Sequence, residues 1–241
     1  MIKNKKLLIC LAAVFLFVEA ALAILLQTSQ ALFPINLRDT VVIFACLFCI
    51  VLADRSLSYL FTQAALILTV CADYFLVYSP ELQQLPAMIF FSFVQISYFL
   101  RIYFEDTNAT RKRLHLIIRL ALSVAGIIVT LAVLGDSADA VAVVSVFYYV
   151  NLLLNAAFAF MHVKKNLLLA FGLLLFILCD TVIGLTFLRS YLTISPESVI
   201  YKIIYPGFDL AWAFYAPSQT LLAISLLPQR LFAAPQANSQ H

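Results

Sequence analysis

The chain has 241 residues, of which 64% are hydrophobic and only 11% charged; its formal net charge is +3 and its mean hydropathy +1.03. Soluble domains carry about a quarter of their residues as charges, so an ordinary water-soluble domain is excluded, and a charge of +3 calls for no nucleic-acid partner. The composition fits an all-α polytopic helical bundle in a membrane, with any chemistry inside or beside the bilayer.

Eight apolar stretches, each to be compared with the 20 or so residues that cross a bilayer, are predicted at about 7–26, 40–53, 57–79, 85–104, 116–134, 140–162, 166–189 and 207–228. The first follows "MIKNKK" and contains an Ala-Leu-Ala that resembles a signal-peptide cleavage site, but the apolar run continues to Leu26, so a span is expected. The second is short unless it starts nearer Asn36. Breaks fall at "SPELQQLP", "EDTNATRKR", "GDSAD", "KKN" and "SPESV", where turn-forming and charged residues cluster. Residues 1–230 are expected to form one transmembrane domain and residues 231–241, which include "PQANSQH", a flexible C-terminal tail. The five cysteines, Cys10, Cys46, Cys49, Cys71 and Cys179, all lie in apolar segments and read as small buried hydrophobes.

Alternating the connections between two sides gives an orientation. One side collects Lys3, Lys5, Lys6, Arg55, Arg101, Arg111, Lys112, Arg113, Lys164, Lys165 and Arg230; the other has Arg38, Arg189 and Lys202. Eleven against three predicts that both termini face the cytoplasm, as in a multi-pass protein of the cell membrane.

Against this background the intramembrane acids stand out, because an ionisable group at the centre of a lipid-facing helix costs about 2.5–3.5 kcal/mol on insertion scales. Asp73 in span three and Asp180 in span seven lie about 24 and 21 Å from the starts of parallel helices, at a rise of about 1.5 Å per residue. They share a depth in the outer half of the bilayer, and Asp209 near the outer end of span eight is placed to join them. Polar residues recur at helical spacing: Gln95 and Tyr98; Tyr148, Asn151 and Asn155; Tyr215 and Gln219. Such stripes fit a polar cavity, and equally fit hydrogen bonds that hold the bundle together. Asn151 is therefore a secondary candidate. So is Glu19 in span one, which either reaches the same cavity or pairs with Arg119 in span five. Gly172 and Gly184 flank Asp180 on a four-residue repeat, which lets another helix approach that face.

At these residues the sequence resembles the YhhN family of eight-span membrane proteins, which includes the lysoplasmalogenases. The family's G-D-x-x-L element reads here Ala72-Asp73-Tyr74-Phe75-Leu76, and its F-x-x-x-H/Q-x-x-Y element reads Phe91 through Gln95 to Tyr98. Its G-x-x-x-F-x-x-S-D element reads Gly172 through Phe176 to Cys179-Asp180, and its Y-x-x-A-Q-x-L-I-A element reads Tyr215 to Ala223. Ala72, Cys179 and Ser218 depart from the pattern, and Pro217 enters the last element, but both acids are kept.

The resemblance implies hydrolysis of the vinyl-ether bond of a lysoplasmalogen, a membrane lipid, to a fatty aldehyde and a glycerophospho-base. It implies Asp73 and Asp180 as the catalytic pair, with either one as the proton donor, and Gln95, Tyr98, Tyr215 and Gln219 as groups that position water or the lipid head. The chemistry suits two carboxyls: a vinyl ether is protonated at carbon, and the resulting cation is stabilised by a nearby negative charge and captured by water, much as in a glycosidase. No metal or other cofactor is expected, since the three histidines lie near the cytoplasmic edge and at the C-terminus, and a zinc site needs three or four ligands. A serine hydrolase finds no G-x-S-x-G. Two other classes stay open: a proton- or cation-coupled small-molecule transporter, in which the two acids bind and release the ion, and a non-catalytic lipid-binding protein.

Overall fold

The computed structural model describes residues 4–29, 37–52, 56–78, 83–188, 195–205, 207–227 and 231. Among these residues the chain forms α-helices and no strand. The helices are α1 (Lys5–Ser29), α2 (Leu37–Val51), α3 (Leu57–Asp73), α4 (Gln84–Glu105), α5 (Ala109–Leu134), α6 (Ala140–Met161), α7 (Val163–Leu188), α8 (Val199–Ile204) and α9 (Leu210–Ile224). Apart from Leu231, the expected C-terminal tail lies outside the described residues.

Among the described residues six helices, α1 and α3 to α7, are long and apolar enough to cross a membrane, and the protein is a multi-pass helical bundle. α2 and α9, of 15 residues each, fall short of the ~20 residues of a full span. Both are nonetheless built into the bundle: α2 packs on α1, α3 and α9, and α9 packs on α7, α1, α2 and α3. The outer surface is as apolar as lipid requires. On α5, Ile117, Leu120, Ile128 and Val129 are all more than half exposed, and no aqueous surface would hold such a stripe.

The helices start where local chemistry lets them. Ser56, Asn108, Asp139, Ser198 and Asp209 each accept a hydrogen bond from the backbone N–H three residues on, at the starts of α3, α5, α6, α8 and α9. The "SPESV" stretch, read above only as a break, thus caps the six-residue α8. α7 has non-helical backbone at Asn166, so its continuous part begins where the sequence placed it. α3 departs from expectation more interestingly. Directly after Asp73 it widens into a π-helical turn over Tyr74–Tyr78, a feature that recurs at functional sites because it re-aims the side chains around it.

Two buried arginines join helices. Arg101 on α4 is wholly buried and donates from Nη1 to Thr62 Oγ1 on α3 at 3.0 Å and to Ser225 Oγ, after α9, at 2.5 Å; its Nε lies 3.4 Å from Glu105. Arg119 on α5 donates to Asn151 Oδ1 and, at 2.6 Å, to Asn155 Oδ1 on α6, contacts His115 Nε2 at 3.0 Å, and stacks over Phe99. It therefore does not pair with Glu19, whose carboxylate instead lies 3.4 Å from Thr220 on α9.

The two glycines beside Asp180 have different surroundings. A Cβ on Gly172 would lie 2.9 Å from Leu222 Cγ and 3.3 Å from the Leu222 backbone nitrogen, whereas one on Gly184 would meet nothing within 4 Å. Gly172→Val is therefore expected to push α9 away from α7, at a cost of about 1–3 kcal/mol. Gly184→Ala should leave stability within about 0.5 kcal/mol; thermal unfolding of both variants in detergent checks the contrast.

Candidate active site

Asp73 and Asp180 open onto one cavity of about 640 Å³. That is the size of a ligand pocket. Asp73 comes from the end of α3, Asp180 from α7, and the walls are mostly apolar, with Met88 and Phe91 from α4, Ile183 and Phe187 from α7, and Trp212 from α9. The structure thus brings together the two acids singled out from the sequence.

Each acid has a tyrosine. Tyr215 on α9 donates its hydroxyl across both oxygens of Asp73, at 3.0 and 2.9 Å. Tyr148 on α6 donates to Asp180 Oδ2. The tyrosines are themselves held by rings: Phe176 lies edge-on to Tyr215 and to Phe91, Phe91 contacts Tyr148, and Trp212 stands perpendicular to Tyr215. This aromatic set, from α4, α6, α7 and α9, fixes the orientation of both carboxyls without spending any other charge in the apolar interior.

The burial of the two acids differs. Asp73 is only 4% exposed, with both oxygens engaged by Tyr215. Asp180 is half-buried and lines the cavity with one oxygen bonded to Tyr148.

The other sequence candidates separate. Tyr215 is in the site, as Asp73's partner. Gln95, Tyr98 and Gln219 are fully buried and do not line the large cavity; Gln95 accepts from Asn155 at 3.0 Å. Among the described residues the Gln219 side-chain amide has no hydrogen-bond partner, and neither has the Tyr98 hydroxyl. Asn151 holds Arg119 and Ser123, which is the bundle-holding alternative for its polar stripe. Asp209 caps α9 and pairs with Arg38 at 2.5 Å, and does not line the large cavity. Glu19 is buried beside Thr220 and is not among the lining residues either.

Two residues near the acids were not proposed for the site from the sequence. Tyr148 stood out only as part of a polar stripe, whose other members turn to Arg119 and Gln95. Asp39 was not singled out from the sequence, where span two is placed at 40–53 unless it starts nearer Asn36; α2 begins at Leu37 and carries Asp39, 7% exposed, in its first turn. Among the described residues no group of three or more His, Cys, Asp or Glu side chains is arranged to hold a metal ion.

Comparison with curated proteins and with solved structures finds no match. The YhhN family does match, over residues 37–226, a stretch that contains both acids, both tyrosines and every helix from α2 to α9. The chain, a multi-pass helical membrane protein, belongs to the YhhN family.

Proposed function

We propose that the protein hydrolyses the vinyl-ether bond of a lysoplasmalogen, with Asp180 as the general acid and Asp73 as its ionised partner. The observation that carries this reading is the pair of tyrosine-held carboxyls in one largely apolar cavity of lipid-chain character. A hydroxyl donated across both oxygens suits a carboxylate, as at Asp73. A carboxyl with an oxygen left to the cavity suits the group that delivers a proton, as at Asp180.

In the first step the Asp180 carboxyl proton passes to the alkenyl carbon remote from oxygen, and the adjacent carbon becomes an oxocarbenium centre facing the Asp73 carboxylate. Water then bonds to that centre and gives a proton to Asp73. The hemiacetal collapses as its hydroxyl proton returns to Asp180, the C–O bond breaks, and Asp73 protonates the departing glycerol oxygen. One water is consumed, one aldehyde and one alcohol are released, and both acids end as they began. The apolar walls strengthen each electrostatic contact in the site. A single-chain lipid would enter such a cavity sideways from the bilayer.

The test is aldehyde release by the purified protein in detergent from a lysoplasmalogen, with the saturated-ether analogue as control. Release confined to the vinyl ether supports the reading; no release above the analogue sinks it. Tyr215→Phe is expected to lower kcat about tenfold to a hundredfold, the value of a hydrogen bond to a charged group, about 1.5–3 kcal/mol. Steady-state kinetics on the folded variant would measure it.

A further inference from the structure

We infer that Gly184 determines what the site accepts: the room left by its missing side chain lies over Asp180 and receives the first methylenes of the substrate's alkenyl chain. The inference rests on the hydrolase reading and adds to it the place where the chain lies. It starts from the contrast between the two glycines of α7. Gly172 is there for packing, because a Cβ would strike Leu222 of α9; at Gly184 a Cβ would meet nothing within 4 Å. Gly184 is exposed and lines the large cavity. Glycine is a poor helix former, so what its presence in α7 supplies, where no helix approaches, is the open space itself.

Helix geometry says what that space is next to. Side chains on a helix lean toward its N-terminus and cover the residues three and four positions earlier. A side chain at position 184 would therefore lie over Asp180 and Thr181, which line the same cavity. The lining residues that are also exposed are Thr181, Gly184 and Phe187, all on α7, so the cavity meets the surface of the bundle on this side. Its rim is apolar in effect. Thr181 donates its one hydroxyl proton to Ile177 O at 2.7 Å, and its Oγ1 lies 2.8 Å from the Tyr149 hydroxyl, while Leu185 and Phe187 complete the edge.

Chemistry says which part of the lipid fits there. The alkenyl carbon that takes the proton from Asp180 is the carbon that bears the rest of the chain, so the first methylenes must lie within a bond or two of the proton donor. The open, apolar room beside Asp180 is the room at Gly184. The head group is a poor occupant of it: among the described residues no Lys, Arg or His lines the cavity, and a phosphate there would face two carboxyls without a cation.

Trp212, the chain's single tryptophan, lines the cavity and reports on its occupancy without any reaction. A lysophosphatidylcholine brominated near the start of its chain is titrated into the full-length protein in detergent, and Trp212 fluorescence is followed. The wild type is expected to show saturable quenching that the unbrominated lipid reverses. Gly184→Leu should raise the half-saturating concentration about tenfold or more, and Gly184→Ala by less. Leu178→Phe, which adds bulk on α7 at a 37% exposed position outside the cavity, should leave it unchanged. Open space at position 184 keeps the Leu variant folded, as its unfolding temperature would show. The kcat/KM for aldehyde release should fall in the same order. A Gly184→Leu titration that matches the Leu178→Phe control, or a wild type without saturable quenching, overturns the inference. Saturable quenching that Gly184→Leu weakens, from a wild type that releases no aldehyde, sinks the hydrolase reading and leaves the chain site standing.

Discussion

Asp180→Asn is expected to lower kcat for aldehyde release by about 10²–10⁴-fold, the usual contribution of a positioned general acid, with KM changed little. An amide keeps the shape of the carboxyl and the hydrogen bond from Tyr148, so the bundle and the lipid cavity stay as they are. What disappears is the transferable proton. Asp73→Asn should fall in the same range for a different reason, because the cation then forms beside a neutral amide while the Tyr215 hydroxyl still points at it. The two losses should not add: once one carboxyl of a cooperating pair is gone, the other has little left to contribute. Kinetics on the two single variants and the double variant, each shown to be folded by its unfolding temperature, make the comparison.

The largest effect on stability is expected from Arg101→Ala. This guanidinium is wholly buried and ties α3, α4 and the end of α9 together through Thr62, Ser225 and Glu105. Its removal leaves the Glu105 carboxylate, which is 10% exposed, without its cation, and opens a side-chain-sized void among three helices. Breaking a buried pair by deleting one partner typically costs about 3–5 kcal/mol. That is a large share of the 5–15 kcal/mol typical of a folded domain. Arg101→Lys recovers only part, since one ammonium cannot reproduce the planar fork that reaches two hydroxyls and a carboxylate. Chemical denaturation in detergent would rank the three proteins.

The apolar runs foretold the helices well because lipid demands length and composition more than sequence detail. Three of the predicted breaks carry caps, at Asn108, Asp139 and Ser198. The two acids were legible for the same reason, as ionisable groups are rarely placed in apolar helices without a task. Their tyrosines were only half legible: Tyr215 through its motif, Tyr148 as an undistinguished polar residue. Spacing tells which residues share a helix face, but not which neighbour that face meets. Gln95 and Asn151 lie on the predicted stripes and meet Asn155 and Arg119 rather than the cavity. The π-helical turn after Asp73 had no glycine or proline to announce it. Asp39 sits at the one boundary left open: a span that starts at 40 leaves it in a loop, whereas α2 begins at Leu37 and buries it.

In the proposed reaction a carboxyl in this cavity delivers a proton to carbon. Hydrolysis of lysoplasmalogen by the wild-type protein in deuterium oxide, with the aldehyde trapped at once by borohydride reduction, tests it directly. The expected product is an alcohol with a single deuterium at the carbon next to the former carbonyl, formed by the wild type and lost in Asp180→Asn. An aldehyde product without that deuterium, or unchanged formation by the folded Asp180→Asn variant, would contradict it.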